Sequence, residues 1–265
     1  MPRVCNVRTS NEHLPSFDLH GQVAVVTGAS RGIGRGLAEA LAAAGATVAV
    51  TARSEADAAQ VVDHIVEAGH RAAAYALDVT DPAATRSVVD RIVADHGQLD
   101  IAVLNAGLGF NLPALEVDEA HWDSMMDVNL KGAFFSAQAC ARHMVERGSG
   151  RIVAISSQAS TVGIVDHVAY SASKGGLNQM VRVLGLEWGP LGVTVNAVAP
   201  TFIYTPGTAE RLDDPAYRAA VVARIPLGDV GTTKDVAGAV IYLASDAGGL
   251  VNGSILAVDG GWTAQ

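Results

Sequence analysis

The chain has 265 residues, of which 49% are hydrophobic and 17% charged. That length and balance give one large α/β domain with a buried core and exclude a disordered or coiled-coil chain. A formal net charge of −9 gives no basic footprint for DNA or RNA, although a dinucleotide held by local amides and single cations remains compatible with it.

The first 20 residues carry Arg3, Arg8, Asn11, Glu12, His13 and Pro15 without an uninterrupted apolar core, so no secretory signal is expected and residues 1–18 read as an N-terminal arm ahead of one domain over 19–265. Cys5 and Cys140 are the two cysteines, too few for a disulfide framework or a zinc-ligand set, which fits a reducing cytoplasm. No metal is expected: His70, His96 and His143 read as solvated, His121 as helix packing. The most apolar stretch, 36–52, holds Glu39 and Gly45 and divides into a helix and a strand rather than a membrane span.

Short β-branched apolar runs are expected as strands at 23–26, 48–51, 72–76, 101–104, 152–155, 193–198 and 255–258. They alternate with helical stretches at 33–44, 56–68, 82–96, 119–147, 170–188 and 234–244, the pattern of repeated βα units around a parallel sheet covered on both faces. Gly45 and Gly69 end two helices, Pro82 follows Asp81 as a capped first turn, and Asp118 is placed to cap the longest helix. Residues 201–230, with Pro206, Pro215 and Pro226, break the rhythm just after a strand end. Ligands in such sheets bind at the carboxyl ends of the strands, so this segment is positioned to cover a substrate.

The first strand runs into Thr27-Gly28-Ala29-Ser30-Arg31-Gly32-Ile33-Gly34 and then a helix. Glycines let the backbone turn tightly against a pyrophosphate, and the helix N-terminus offers free N–H groups and partial positive charge. The glycine spacing resembles that of the short-chain dehydrogenase/reductase family, over about 19–265. The resemblance implies a Rossmann-type, doubly wound, seven-stranded parallel sheet with helices on both faces. After the second strand the sequence reads Thr51-Ala52-Arg53-Ser54. It lacks the carboxylate that accepts from the ribose hydroxyls of NAD, while Arg53 and Arg31 suit a 2′-phosphate, so NADP is expected ahead of NAD. The resemblance further assigns Asp78 and Val79 to the adenine. Asn105, Ala106 and Gly107 match its Asn-Asn-Ala-Gly turn, with Leu104 for the first Asn. Pro200 and Thr201 match its Pro-Gly element, with Thr for Gly, and Ile203 and Thr205 keep the pattern that holds the cofactor.

In Tyr170-Ser171-Ala172-Ser173-Lys174 the tyrosine and lysine stand four apart on one helix face. A phenol with a pKa of about 10 is a poor base at neutral pH unless a cation stabilises its anion, which Lys174 supplies. Ser157, thirteen residues before Tyr170, has the family's spacing for the serine that binds the reacting oxygen, with Ser156 as competitor. Asn129 matches the family asparagine that sustains a water chain to the lysine. Both Tyr170 and Lys174 are also expected at the cofactor.

The pocket is expected to be lined by Phe110, Asn111, Ser157, Gln158, His167, Phe202 and Tyr204, a mixture of apolar walls and hydrogen-bonding groups compatible with a small polyhydroxylated molecule. The stretches 156–160, 199–203 and 258–265 resemble those of dehydrogenases of sugar alcohols, ketoses or sugar acids. A 3-oxoacyl thioester reductase shares the turn and the catalytic residues, but Arg142, Arg147 and Arg182 are too scattered to form a basic surface for an acidic carrier. A non-catalytic nucleotide-binding or sensing protein is the reading from another class. The resemblance implies a homotetramer formed through the helices at 119–147 and 170–188.

Overall fold

The computed structural model describes residues 14–264. Of the expected arm, residues 1–13 lie outside them; 14–18 are exposed, and the Ser16 carbonyl accepts from the Ala247 N–H. Seven strands form one parallel sheet in the order β3-β2-β1-β4-β5-β6-β7: β1 Val23–Val26, β2 Thr47–Ala52, β3 Arg71–Ala76, β4 Ile101–Leu104, β5 Gly150–Ile155, β6 Val193–Pro200 and β7 Ile255–Val258. The order reverses between β1 and β4, which pair Ala24 with Ile101. Two crossovers diverge there and leave a crevice at the carboxyl ends of the strands.

Alternate side chains of each strand face opposite layers. Ala24, Val26, Val48 and Val50 pack with Leu37 and Leu41 of α1 (Gly32–Ala43), Val61 and Ile65 of α2 (Glu55–Glu67), and Val240 and Leu243 of α9 (Thr233–Ala244). Val23, Val25, Ala49 and Ala102 face Val89 and Ile92 of α3 (Pro82–His96), Met144 of α5 (Ala133–Arg147), and Leu177 and Val181 of α6 (Val168–Trp188). Each fully buried aliphatic side chain contributes about 1.5–3 kcal/mol of transfer free energy.

The expected caps are present. Asp81 accepts from Ala83 and Ala84 with Pro82 behind it, Asp118 caps α4 (Glu119–Met126), and Gly45 and Gly69 have φ of +106° and +86°. The single helix expected over 119–147 is broken: Asp127–Gly132 forms a π-helical segment between α4 and α5. The wider turn lets Gly132 press on the loop after β3, where a Cβ would lie 2.9 Å from the Val79 side chain. Within 201–230 lie two short helices, α7 (Ala209–Leu212) and α8 (Pro215–Val222), whose Leu212 and Val221 bury with Ile225 and Trp262. His96 and His143 are not simply solvated: their rings meet the Tyr75 hydroxyl and the Asp90 carboxylate, at 3.0 and 2.7 Å. Among the described residues, no helix is long and apolar enough to cross a membrane.

Candidate active site

The turn between β1 and α1 is closed by its glycines. Gly28 and Gly32 hold φ of +64° and +57°, and a Cβ on Gly34 would stand 2.4 Å from both the Gly28 carbonyl oxygen and Asn105 Nδ2. The residue before α1, Arg31, makes no side-chain cap, so the first-turn N–H groups remain open to an anion. Together the tight turn and the uncapped helix fit a dinucleotide pyrophosphate, and Ser30, half-buried, lies in the same turn.

Asn105 braces this turn from β4: its Nδ2 donates to the Thr27 and Gly28 carbonyls at 2.9 and 3.0 Å. Thr27 completes the joint, its hydroxyl accepting from the N–H groups of Asn105 and Ala106. Sequence reasoning passed over Thr27; its position at the strand end, just before the first glycine, was the available signal.

Arg31 and Arg53 are both exposed, and the Ser54 hydroxyl caps α2 by accepting from Asp57 N–H. Asp78 is held below the usual carboxylate range, first by the Thr80 N–H and hydroxyl and then by the Arg53 charge, so Arg53 and Asp78 flank one edge of the crevice. Val79 is buried and Ile33 half-buried. At the end of β6, beyond Pro200, Thr201 N–H donates to Val258, while its hydroxyl is buried without a protein partner among the described residues. Ile203 and Thr205 are buried and joined by Thr208, whose hydroxyl donates to the Ile203 carbonyl at 2.6 Å and accepts from Thr205 N–H. Thr208 carries no motif and was not singled out in the sequence.

Tyr170 and Lys174 lie on successive turns of α6, facing the end of β5. Lys174, 4% exposed, donates to the Ile155 carbonyl at 2.7 Å, with its ammonium 5.8 Å from the Tyr170 ring centre. Burial lowers its pKa to about 8. The Tyr170 phenol is displaced upward by its own burial, and a hydrogen bond with Ser157 pulls the other way. This differs from the expected depression by Lys174: desolvation dominates, and Ser157 is the group that favours the phenolate.

Ser157 stands at the end of β5, where its hydroxyl accepts from Ala159 N–H at 3.2 Å and approaches Gln158 Oε1 at 3.4 Å. Its competitor Ser156 points instead to Asn178, at 2.7 Å.

Asn129, 1% exposed, lies in the π segment. Its Oδ1 accepts from Leu108 N–H at 2.7 Å, and its Nδ2 donates to the Leu108 carbonyl and to Ser173 Oγ. Ser173 in turn donates to the Tyr170 carbonyl. A Cβ on Gly107 would lie 3.4 Å from Asn129 Oδ1 and 3.7 Å from Lys174 Nζ, so the loop after β4 passes directly over the pair. Asn129, Ser157, Tyr170 and Lys174 are thus brought together, with Gly107 above them.

The expected substrate residues divide. Gln158 is buried beside Ser157, and the His167 ring lies 6.2 Å from that of Tyr170 with Nδ1 on the Val165 carbonyl. Phe110 is exposed and meets the His121 ring edge-on, and Asn111 is exposed. Phe202 packs on Tyr217, within the 201–230 segment, and on Trp262, and Tyr204 donates its hydroxyl to Asp213 at 3.0 Å.

The family model for enoyl-(acyl carrier protein) reductase matches residues 28–263. The chain is 40% identical to the 2-dehydro-3-deoxy-D-gluconate 5-dehydrogenase of Pseudoalteromonas atlantica over 250 residues, 94% of this chain and 98% of that one. It is likewise 40% identical to the D-threitol dehydrogenase of Mycolicibacterium smegmatis, covering 93% and 95% of the two chains. The solved structure of a gluconate 5-dehydrogenase from Burkholderia cenocepacia J2315, in complex with NADP and tartrate, superposes with a TM-score of 0.91 at 36% identity, over 94% of this chain and 98% of that one. With this glycine turn, sheet order and tyrosine–lysine–serine cluster, the chain belongs to the short-chain dehydrogenase/reductase family of NAD(P)-dependent oxidoreductases.

Proposed function

We propose that this protein is an NADP-dependent dehydrogenase that moves a hydride between nicotinamide and a secondary alcohol or ketone carbon of a polyol, ketose or sugar acid. The observation that carries the reading is the convergence of buried Ser157 and Lys174 with half-buried Tyr170 at one strand end. Ser157 orients the substrate oxygen and Tyr170 exchanges its proton. The Ser157 hydroxyl also favours the phenolate, Lys174 would hold the nicotinamide ribose from its place on the Ile155 carbonyl, and Asn129 fixes the loop above them while sustaining proton delivery. The bound dinucleotide supplies the hydride. Gly28, Ser30, Gly32, Ile33 and Gly34 would hold its pyrophosphate, Arg31, Arg53 and Ser54 its 2′-phosphate, and Asp78 and Val79 its adenine. Asn105, Ala106, Gly107, Pro200, Thr201, Ile203 and Thr205 would enclose the nicotinamide end.

Phe110, Asn111, Gln158, His167, Phe202 and Tyr204 would line the substrate side, with 201–230 closing over it. A polyol, ketose or sugar acid agrees with the polar groups at the mouth and with the relatives' own substrates. The protein would act in the cytoplasm as a homotetramer. A groove of about 410 Å³ on the outer helices, lined by Met126, Leu130, Phe134, Phe135 and Met180, is the apolar surface on which subunits would meet.

The test is turnover of purified protein with NADPH and NADH against ketoses, sugar acids, polyols and acetoacetyl thioester. The expected result is NADP-linked turnover of a hydroxylated substrate that Tyr170→Phe abolishes while NADPH binding stays within about twofold, since general acid–base groups supply about 10²–10⁴ in rate. Thioester reduction as the best activity would transfer the protein to the acyl reductases. NADPH binding without any turnover would make it a non-catalytic sensor.

A further inference from the structure

α6 carries a third polar side chain on the stripe of Tyr170 and Lys174. Asn178 lies one turn beyond Lys174, is 2% exposed, and has both ends of its carboxamide engaged. Its Oδ1 accepts from Ser156 Oγ at 2.7 Å, and its Nδ2 donates to Ser160 Oγ, also at 2.7 Å. Ser160 Oγ donates onward to the Ser157 carbonyl at 2.5 Å. With Lys174 on the Ile155 carbonyl, the six residues 155–160 are tied to α6 at their first, second and last positions, on either side of Ser157.

A buried carboxamide needs partners, and a packing role alone would satisfy Asn178 with any of them. Here both partners are hydroxyls of the one loop that carries Ser157, and the second passes the hydrogen bond to Ser157's own backbone. The loop is otherwise a single turn of 3-10 helix, Gln158–Ser160, with little regular structure of its own to fix a side-chain direction.

We propose that Asn178 is a positioning residue for the reaction, setting the direction of Ser157 Oγ toward the Tyr170 hydroxyl through Ser156 and Ser160. The inference rests on the dehydrogenase reading for its kinetic consequence but not for its geometric one. Active-site groups must be held to within about 0.5 Å, and a displacement of about 1 Å costs about a hundredfold in rate. Asn178→Ala is therefore expected to lower kcat between about 10- and 100-fold, with KM and the NADPH dissociation constant within about threefold.

The test is a double-mutant cycle with Ser157→Ala, backed by crystal structures of the single variants. If Asn178 acts through Ser157, Asn178→Ala has no further effect on kcat once Ser157 is alanine; a general structural role would lower kcat by the same factor in both backgrounds, and that additivity would overturn the proposal. Ser160→Ala breaks the relay from Asn178 Nδ2 to the Ser157 carbonyl while leaving Ser156 on Asn178 Oδ1, and serves if Asn178→Ala does not fold; it is expected to show the same dependence on Ser157, and full activity would count against the relay. In the crystal, Ser157 Oγ should move by more than about 0.5 Å away from Tyr170. Its staying in place sinks the proposal even if the wild-type enzyme turns over none of the substrates tried. Conversely, loss of activity in Tyr170→Phe with normal kcat in Asn178→Ala removes this inference alone and leaves the dehydrogenase reading standing.

Discussion

Around Tyr170 the polar groups are buried and hold one another: Asn129 binds Leu108 and Ser173, Lys174 binds Ile155, and Asn178 ties Ser156 to Ser160. At the other end of the same crevice Arg31 and Arg53 stand in solvent, beside a glycine turn whose geometry is set by backbone and not by charge. Both ends serve one expected ligand, yet only at the first are the charged and polar side chains buried on protein partners. Preorganisation suits the reacting atoms, because groups aimed in advance at developing charge need no rearrangement during the reaction. Exposed cations suit a phosphate, which must enter from water and leave again. Substitutions at the buried end should therefore change rate and stability together, and those at the exposed end affinity alone.

The largest effect that sharpens this contrast is expected for Lys174→Met. Turnover should fall at least about a hundredfold, yet the apo protein should lose a destabilising charge. The folded pKa of Lys174 is about 8 against an ordinary 10.5. The protonated form is thus disfavoured in the fold, its penalty is complete below pH 8, and it fades as pH rises from 8 to 10.5. The shift corresponds to about 3 kcal/mol, offset by about 1–3 kcal/mol for leaving the Ile155 carbonyl without its donor. Urea unfolding from pH 7 to 10 should show the variant's stability relative to wild type declining as pH rises; a flat difference would mean that the lysine is not desolvated as the structure has it.

Arg53→Ala comes next and probes the exposed end. Loss of one charge-assisted phosphate contact, about 1.5–3 kcal/mol, should weaken NADPH binding about 10- to 100-fold, leave NADH unchanged and reduce the salt dependence of NADPH affinity. Fluorescence titration at two ionic strengths reads all three. Equal losses for both cofactors would make Arg53 a structural neighbour of Asp78 rather than a phosphate ligand.

The same division decides what was legible in the sequence. Strands and caps came through because they rest on local chemistry: the apolar run at 23–26, Asp81 before Pro82, Gly45 and Gly69 at helix ends. The glycine turn and the 157–170–174 spacing were likewise visible as patterns. The π segment at 127–132 was not, since its cause is tertiary: Gly132 against Val79 and Asn129 turned inward to Leu108. Helical periodicity runs through such a bulge without a mark. α8 did carry a signal, Asp214 capping a helix with Pro215 in its first turn, but a segment with three prolines reads first as a loop. Thr27, Ser173 and Asn178 were given no role because each works by joining elements distant in sequence, and Thr208 because its local bonds to Ile203 and Thr205 follow no motif. The direction of the Tyr170 shift turned on burial, which spacing does not report.

The smallest expected effect tests the part of 201–230 that carries Tyr204. Tyr204 is 44% exposed and donates to Asp213 across the junction of α7 and α8. A solvent-accessible hydrogen bond of this kind contributes less than about 1 kcal/mol, so Tyr204→Phe should raise KM about two- to threefold and leave kcat and NADPH affinity unchanged. Steady-state kinetics with the best substrate of the panel decides the point. A kcat loss of tenfold or more would mean that residues 201–230 help to set the geometry around Tyr170, which would extend the preorganised end of the crevice into that segment. A KM change alone would support the proposed covering role of that segment, adjusting entry and release without touching the chemistry.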